Sequence, residues 1–150
     1  MYFWNINKLK SDFIEGAVTE KNTLQYLIAY TVLVGMVMIP YGEPNQYDML
    51  SAALVIPISV LGILYAYSCN GADSGDNFLA KYFAISWVIT VRFIAYIILL
   101  IFLIGIIAGM SGADIPEATT FLDVVVNVIL TAFIYWRIAI HIKETTISFT

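Results

Sequence analysis

The chain has 150 residues, a length that fits one domain. It is 61% apolar and 12% charged, against roughly 45–50% and about 25% for an average soluble domain. That balance excludes an ordinary soluble fold and makes lipid the natural solvent, while the net charge of −4 argues against non-specific nucleic-acid binding and the single cysteine, Cys69, excludes an intrachain disulfide.

The first predicted element is an amphipathic interfacial helix within residues 2–20. Tyr2, Ile6, Leu9, Phe13 and Ala17 project on one face, and Lys8, Ser11, Asp12 and Glu15 on the other. Trp4 suits the headgroup level. Two lysines make this weaker than a polybasic anchor. The segment reads as a resting helix that steadies the first span, or as a docking surface for a cytoplasmic partner. No cleavable signal is expected. Asp12, Glu15 and Glu20 interrupt the start, and the first apolar run leads into Pro40-Tyr41-Gly42, so that run reads as a retained span.

Four spans follow. Crossing ~30 Å of hydrocarbon takes about 20 helical residues. The stretches 22–42, 49–72 and 93–113 carry no charge, and 120–142 is long enough but holds Asp123 and Arg137. The predicted spans are 23–41, 48–68, 82–110 and 120–142. Asn22 or Thr23 is the expected cap of the first, Asp48 of the second and Asp76 of the third. Thr120 and Asp123 have loose capping-box spacing. Pro40 and Gly42 should end the first span, and Gly109 and Gly112 the third. Since lipid forces every backbone polar group to bond internally, the expected fold is an all-α, four-transmembrane-helix bundle forming one membrane domain over 1–150.

The basic residues give the orientation. Lys8, Lys10 and Lys21 precede the first span, Lys81 and Arg92 follow the second, and Arg137 and Lys143 end the fourth. The other two loops carry Glu43, Asp114 and Glu117 and no basic residue. The positive-inside rule then predicts both termini in the cytoplasm.

Several residues within the spans are candidates for function. Arg92 is either an interfacial arginine that snorkels or a charge buried in the bundle. The run 78–110 is ~50 Å as helix, too long for one upright span, so it must tilt, kink or project. Asp123, Asn127, Thr131 and Tyr135 recur at steps of four and form a polar stripe on the last helix. The stripe reads as interhelical glue or as a polar path for an ion. Any functional centre is expected where the third span meets it. Gly105 and Gly109 form G-x-x-x-G, and Gly62 and Ala66 a looser small pair; both suit close helix packing, within the chain or in an oligomer. Pro57 lies inside the second span and can kink it.

The connector 69–77 is rich in turn residues, with Asn-Gly and Ser-Gly pairs. Asp73 and Asp76 lack the rest of a calcium loop, and no phosphate loop is present. Asn70-Gly71, Gly75-Asp76-Asn77-Phe78-Leu79, Phe83, Ser86 and Arg92 resemble a segment of small uncharacterised bacterial inner-membrane proteins with four spans. The resemblance implies a bacterial inner (plasma) membrane and supplies no activity.

Nothing points to catalysis. His141 is the single histidine, and no His/Cys cluster has metal-ligand spacing. A Cys69–His141 pair would need an orienting third group and a pocket. The expectation is a non-enzymatic membrane protein without metal or cofactor, acting through a membrane or cytoplasmic protein partner or as a homo-oligomer. Toxin immunity, anchoring or sensing within a larger system would suit it; the alternative is an oligomeric small channel or transporter subunit.

Overall fold

The computed structural model describes residues 1–37, 44–112 and 118–146. Among them the chain is helical: α1 (Ile6–Ile14), α2 (Glu20–Val37), α3 (Gln46–Cys69), a 3-10 turn (Ala72–Ser74), α4 (Phe78–Ser111) and α5 (Phe121–Thr146). Three helices, α3, α4 and α5, are long and apolar enough to cross a membrane, with mean hydropathy of 2.2, 2.9 and 1.7 over their most apolar windows.

Local chemistry moves several expected boundaries. The N-terminal helix is shorter than the expected 2–20. Asn5 Oδ1 accepts from Lys8 N at 3.0 Å and starts α1 there, and Gly16, at φ +67°, stops it. Ile6 and Leu9 are buried, whereas Ala17 is exposed and beyond the helix. α2 begins before Asn22 and Thr23, because Thr19 is the cap: its hydroxyl accepts from Asn22 N at 3.3 Å, and Asn22 Oδ1 takes the Thr19 N–H in return. Asp48 does not cap α3. Asn45 does, accepting from Tyr47 N and Asp48 N, and Asp48 closes a capping box by accepting from Asn45 N at 2.7 Å. Asp76 does not cap α4 either. Asn77, with φ +49°, stands at the cap position without a side-chain bond to the helix backbone, and Asp76 turns to Lys81. The reciprocal Thr120–Asp123 pair is present: Thr120 N donates to Asp123 Oδ2 at 2.7 Å and Asp123 N to Thr120 Oγ at 3.4 Å. Gly112, at φ +65°, ends α4; Gly109 is inside the helix. The expected stop at Pro40 and Gly42 lies outside the described residues, as do Glu43, Asp114 and Glu117.

α3 runs unbroken through Pro57, and α4 is one helix of 34 residues, ~51 Å long. α3 and α5 are the most extensively packed pair; α2 lies along α4, α4 meets α5, and α1 rests on both α4 and α5. The order across the molecule is therefore α2, α4, α5, α3. Two ends are tied by polar contacts. At one, Asn45 Nδ2 donates to Thr119 O at 2.9 Å, and Thr119 Oγ to Asp48 Oδ1 at 2.7 Å. At the other, Thr146 of α5 reaches Asn70 at the end of α3. These bonds also show that α3 and α5 run parallel. Asn45→Ala removes a cap and the Thr119 tie together. It should lower stability by about 1–2 kcal/mol, read as a shift of the unfolding midpoint in a denaturing-detergent titration.

The core gathers at the second end. Tyr82, Ala84, Ile85, Trp87, Val88 and Ile89 of α4 are buried against Ile6 and Leu9 of α1, Tyr26 of α2 and Ile138, Ala139 and Ile142 of α5. The rest of α4 is different. Ile98, Leu99, Leu100, Ile101 and Phe102 are all exposed, and Met110 is 85% exposed. Five consecutive exposed apolar residues cover every side of a helix, which is the pattern of a segment solvated by lipid.

Candidate functional site

The core end carries most of the long-range polar contacts, and α1 with the segment before it is its centrepiece. Residues 2–4 are not helical, so their backbone groups need partners. They find them in side chains of two helices. Tyr2 N donates to the Tyr26 hydroxyl of α2 at 2.8 Å, Trp87 Nε1 of α4 donates to Tyr2 O at 3.1 Å, and Arg92 of α4 donates to Trp4 O. Rings reinforce these bonds. Phe3 stands edge-on to Trp87 at 5.5 Å between centroids, Trp4 edge-on to Tyr96 at 6.1 Å, and the Arg92 guanidinium lies 5.4 Å from the Trp4 ring centroid. The Tyr2 hydroxyl donates to Asp12 at 2.8 Å, and that bond, chiefly, holds the half-buried Asp12 carboxyl below the usual carboxylate range.

Arg92 thus meets a partner that neither sequence reading named. Among the described residues it pairs with no carboxylate; it grips a backbone carbonyl and an aromatic face of the N-terminal segment. Its Nε and the Ser86 hydroxyl are buried without a hydrogen-bond partner among the described residues. Arg92→Ala should release residues 1–5, so that trypsin cuts at Lys8 and Lys10 several-fold faster in mild detergent. Arg92→Lys should fall between, since an ammonium keeps the charge but loses the planar stack on Trp4.

A second cluster organises the connector between α3 and α4. Asn70 is fully buried; its Nδ2 donates to Asp76 O at 3.0 Å, and its Oδ1 accepts from Lys81 Nζ at 3.2 Å. Lys81, 2% exposed, also donates to Asp76 Oδ1 at 2.8 Å, and this ammonium is the main reason the Asp76 carboxyl is held below its ordinary value. Gly75 passes so close to Asn70 that a Cβ there would stand 2.6 Å from Asn70 Nδ2. The residues Asn70, Gly75 and Asp76 of the resemblance therefore share one packed turn. Asp73, the other acid of the connector, accepts from the Tyr67 hydroxyl at 2.6 Å. Among the described residues no group of His, Cys, Asp and Glu is arranged to hold a metal ion.

A third chain of contacts ties α1 to α5. Lys10 Nζ lies 2.6 Å from Glu144 Oε2, the same oxygen lies 2.9 Å from His141 Nδ1, and His141 Nε2 lies 3.3 Å from Arg137 Nη2. An arginine donating to Nε2 and a carboxylate accepting at Nδ1 fit a neutral imidazole with its proton on Nδ1. His141 is thereby a structural link, and the geometry makes no Cys69–His141 pair.

The polar stripe of α5 meets α3 at Asn127 and Tyr135, and Tyr135 also reaches Tyr82 of α4. Asn127 Nδ2 donates to Ser51 Oγ of α3 at 2.9 Å, and Tyr135 packs on Gly62 of α3, where a Cβ would come within 2.6 Å of Tyr135 Cβ. Thr131 is half-buried, and Asp123 is engaged at the start of its own helix. Ala66 is fully buried. Gly105 and Gly109 are the opposite case: a Cβ on either would meet nothing within 4 Å. So Gly62 and Ala66 pack the chain, and among the described residues the G-x-x-x-G pair does not. The clamp on residues 2–4 was invisible in the sequence, because backbone acceptors leave no residue signature; only the odd placement of Trp87 and Arg92 near one another hinted at it. No family model, curated protein or solved structure matches this chain.

Proposed function

We propose that this is a four-span protein of a bacterial inner membrane, with both termini in the cytoplasm, that acts by holding a protein partner and not by catalysis. α2 would be the fourth span. Its described part is 18 residues, ~27 Å of helix, close to the ~30 Å hydrocarbon thickness. α1 would lie along the inner surface, with Trp4 and Arg92 at headgroup level.

The observation that supports a role in interaction is the anchoring of the N-terminal helix. The segment leading into α1 is fixed by the Arg92 and Trp87 bonds and α1 itself by the Lys10–Glu144 pair, while its free face carries Lys8 outward. A helix held this firmly on the basic end is a rigid platform, which suits docking better than a loose membrane tether does. The stripe on α5, the main support for a conducting path, is engaged in helix–helix contact through Asn127 and Tyr135. An anchoring, sensing or toxin-immunity subunit fits these features. Cross-linking from a photoreactive residue at Lys8, followed by purification in mild detergent, should recover one specific protein. Recovery of nothing but lipid and the chain itself would overturn the reading.

A further inference from the structure

A groove of about 740 Å³ opens on the side of the molecule where α2 and α4 begin. Its volume falls within the ~300–1,000 Å³ of small-molecule sites. Leu24, Leu27 and Phe78 line it, Leu79 flanks it, and Glu20 and Thr23 stand at one end. Leu24 is 54% exposed and Leu79 65%, so the groove is open to whatever surrounds the helices. Its polarity is graded. Along α2 the lining passes from Glu20 through Thr23 to Leu24 and Leu27, a descent of ~10 Å. Charge is graded too: Glu20 is the only formally charged residue in the lining, and no lysine or arginine joins it.

We infer that this groove holds one aminophospholipid of the inner leaflet, its primary ammonium on Glu20 and an acyl chain along Leu24, Leu27 and Phe78. The inference rests on the proposal above that α2 crosses the bilayer with Glu20 at the cytoplasmic surface. The charge selects the headgroup. A primary ammonium offers N–H donors to the carboxylate in a charge-assisted bond. A quaternary choline headgroup has no such donor, and a net-anionic phosphatidylglycerol is repelled by Glu20. The apolar stretch below fits a chain, and the two polar side chains across the groove are already engaged, the Tyr67 hydroxyl on Asp73 and the Asn77 amide on Asp76.

The test places the full chain in nanodiscs of equal phosphatidylethanolamine, phosphatidylcholine and phosphatidylglycerol, and reads the lipids retained on release by native mass spectrometry. One retained lipid per chain is expected, enriched in phosphatidylethanolamine roughly fivefold, the scale of a partly exposed charge pair. Glu20→Gln should abolish the enrichment without abolishing retention. Leu24→Trp, at an exposed position, should fill the groove and lower retention of all three lipids. Equal retention of the three by the unaltered chain, preference for phosphatidylglycerol, or an unchanged preference in Glu20→Gln would each overturn the inference. Labelling of single cysteines at positions 21 and 44 from the two sides of a sealed vesicle tests the span separately. Opposite-side labelling with no lipid preference defeats the lipid site alone, and same-side labelling defeats the span.

Discussion

Gly62→Leu should be the most damaging single substitution among the small residues of the spans, while Gly105→Leu and Gly109→Leu should leave the isolated chain as stable as before. All three are helix-interior glycines in apolar segments, and by sequence the G-x-x-x-G pair has the stronger claim to a packing role. The surroundings reverse that ranking. A Cβ at Gly62 would stand 2.6 Å from Tyr135 Cβ, an atom next to the backbone that cannot swing away, so α5 must move off α3. Overpacking of this kind costs about 1–3 kcal/mol, and separating the most extensively packed pair of helices adds the loss of neighbouring contacts such as Asn127–Ser51. At Gly105 and Gly109 nothing among the described residues stands within 4 Å, and leucine is the better helix former by somewhat under 1 kcal/mol. Denaturing-detergent titration of the three variants, followed by circular dichroism, checks the contrast. A large loss for Gly105→Leu would mean that a second copy covers the outer part of α4 in the folded state.

The contrast also shows what a sequence exposes and what it hides. Periodicity and the run of apolar residues located α3, α4 and α5, because length and hydropathy are local properties. Two caps lie three residues before the expected ones, for a common reason. Thr19 and Asn45 pair reciprocally with Asn22 and Asp48, and in such a box the later residue is the third of the helix, not its cap. The polar stripe on α5 was correctly grouped but could not be aimed, since steps of four fix a face and not the neighbour that it meets. Arg92 was singled out for the cost of its charge in lipid, yet its partner is a main-chain oxygen on a segment remote in sequence. Such a partner can be found only once the fold has brought residues 2–4 against α4.

Asp76→Ala should destabilise the chain more than Lys81→Met does, although both break one ion pair. The asymmetry follows from burial. The Lys81 side chain is 2% exposed and that of Asp76 is 62% exposed. Removing Asp76 leaves a buried ammonium whose remaining acceptor among the described residues is Asn70 Oδ1, at 3.2 Å, and stranding a buried charge costs about 3–5 kcal/mol where burial is complete on both sides. The exposed half of this pair reduces that, so a loss of about 1–3 kcal/mol is expected, the range for a hydrogen bond to a charged group. Lys81→Met leaves Asp76 to water and fills the channel with an unbranched apolar chain of similar length. Asn70 then loses one donor, while the Thr146 hydroxyl stays 3.3 Å from the same oxygen. This variant should lie within about 1 kcal/mol of the parent. The double variant Asp76→Ala, Lys81→Met should return to the level of Lys81→Met, since no ammonium is left to strand, and the cycle gives the coupling directly. Acid supplies an independent check. The carboxyl of Asp76 is depressed by Lys81, so its contribution is present above the ordinary carboxylate range and is lost as pH falls through the lower, folded-state value. The stability difference between the parent and Asp76→Ala should therefore be constant near neutrality and shrink below about pH 4. A difference that persists unchanged to pH 2, or a Lys81→Met variant as unstable as Asp76→Ala, would show that the connector is held by the Asn70 and Gly75 packing alone.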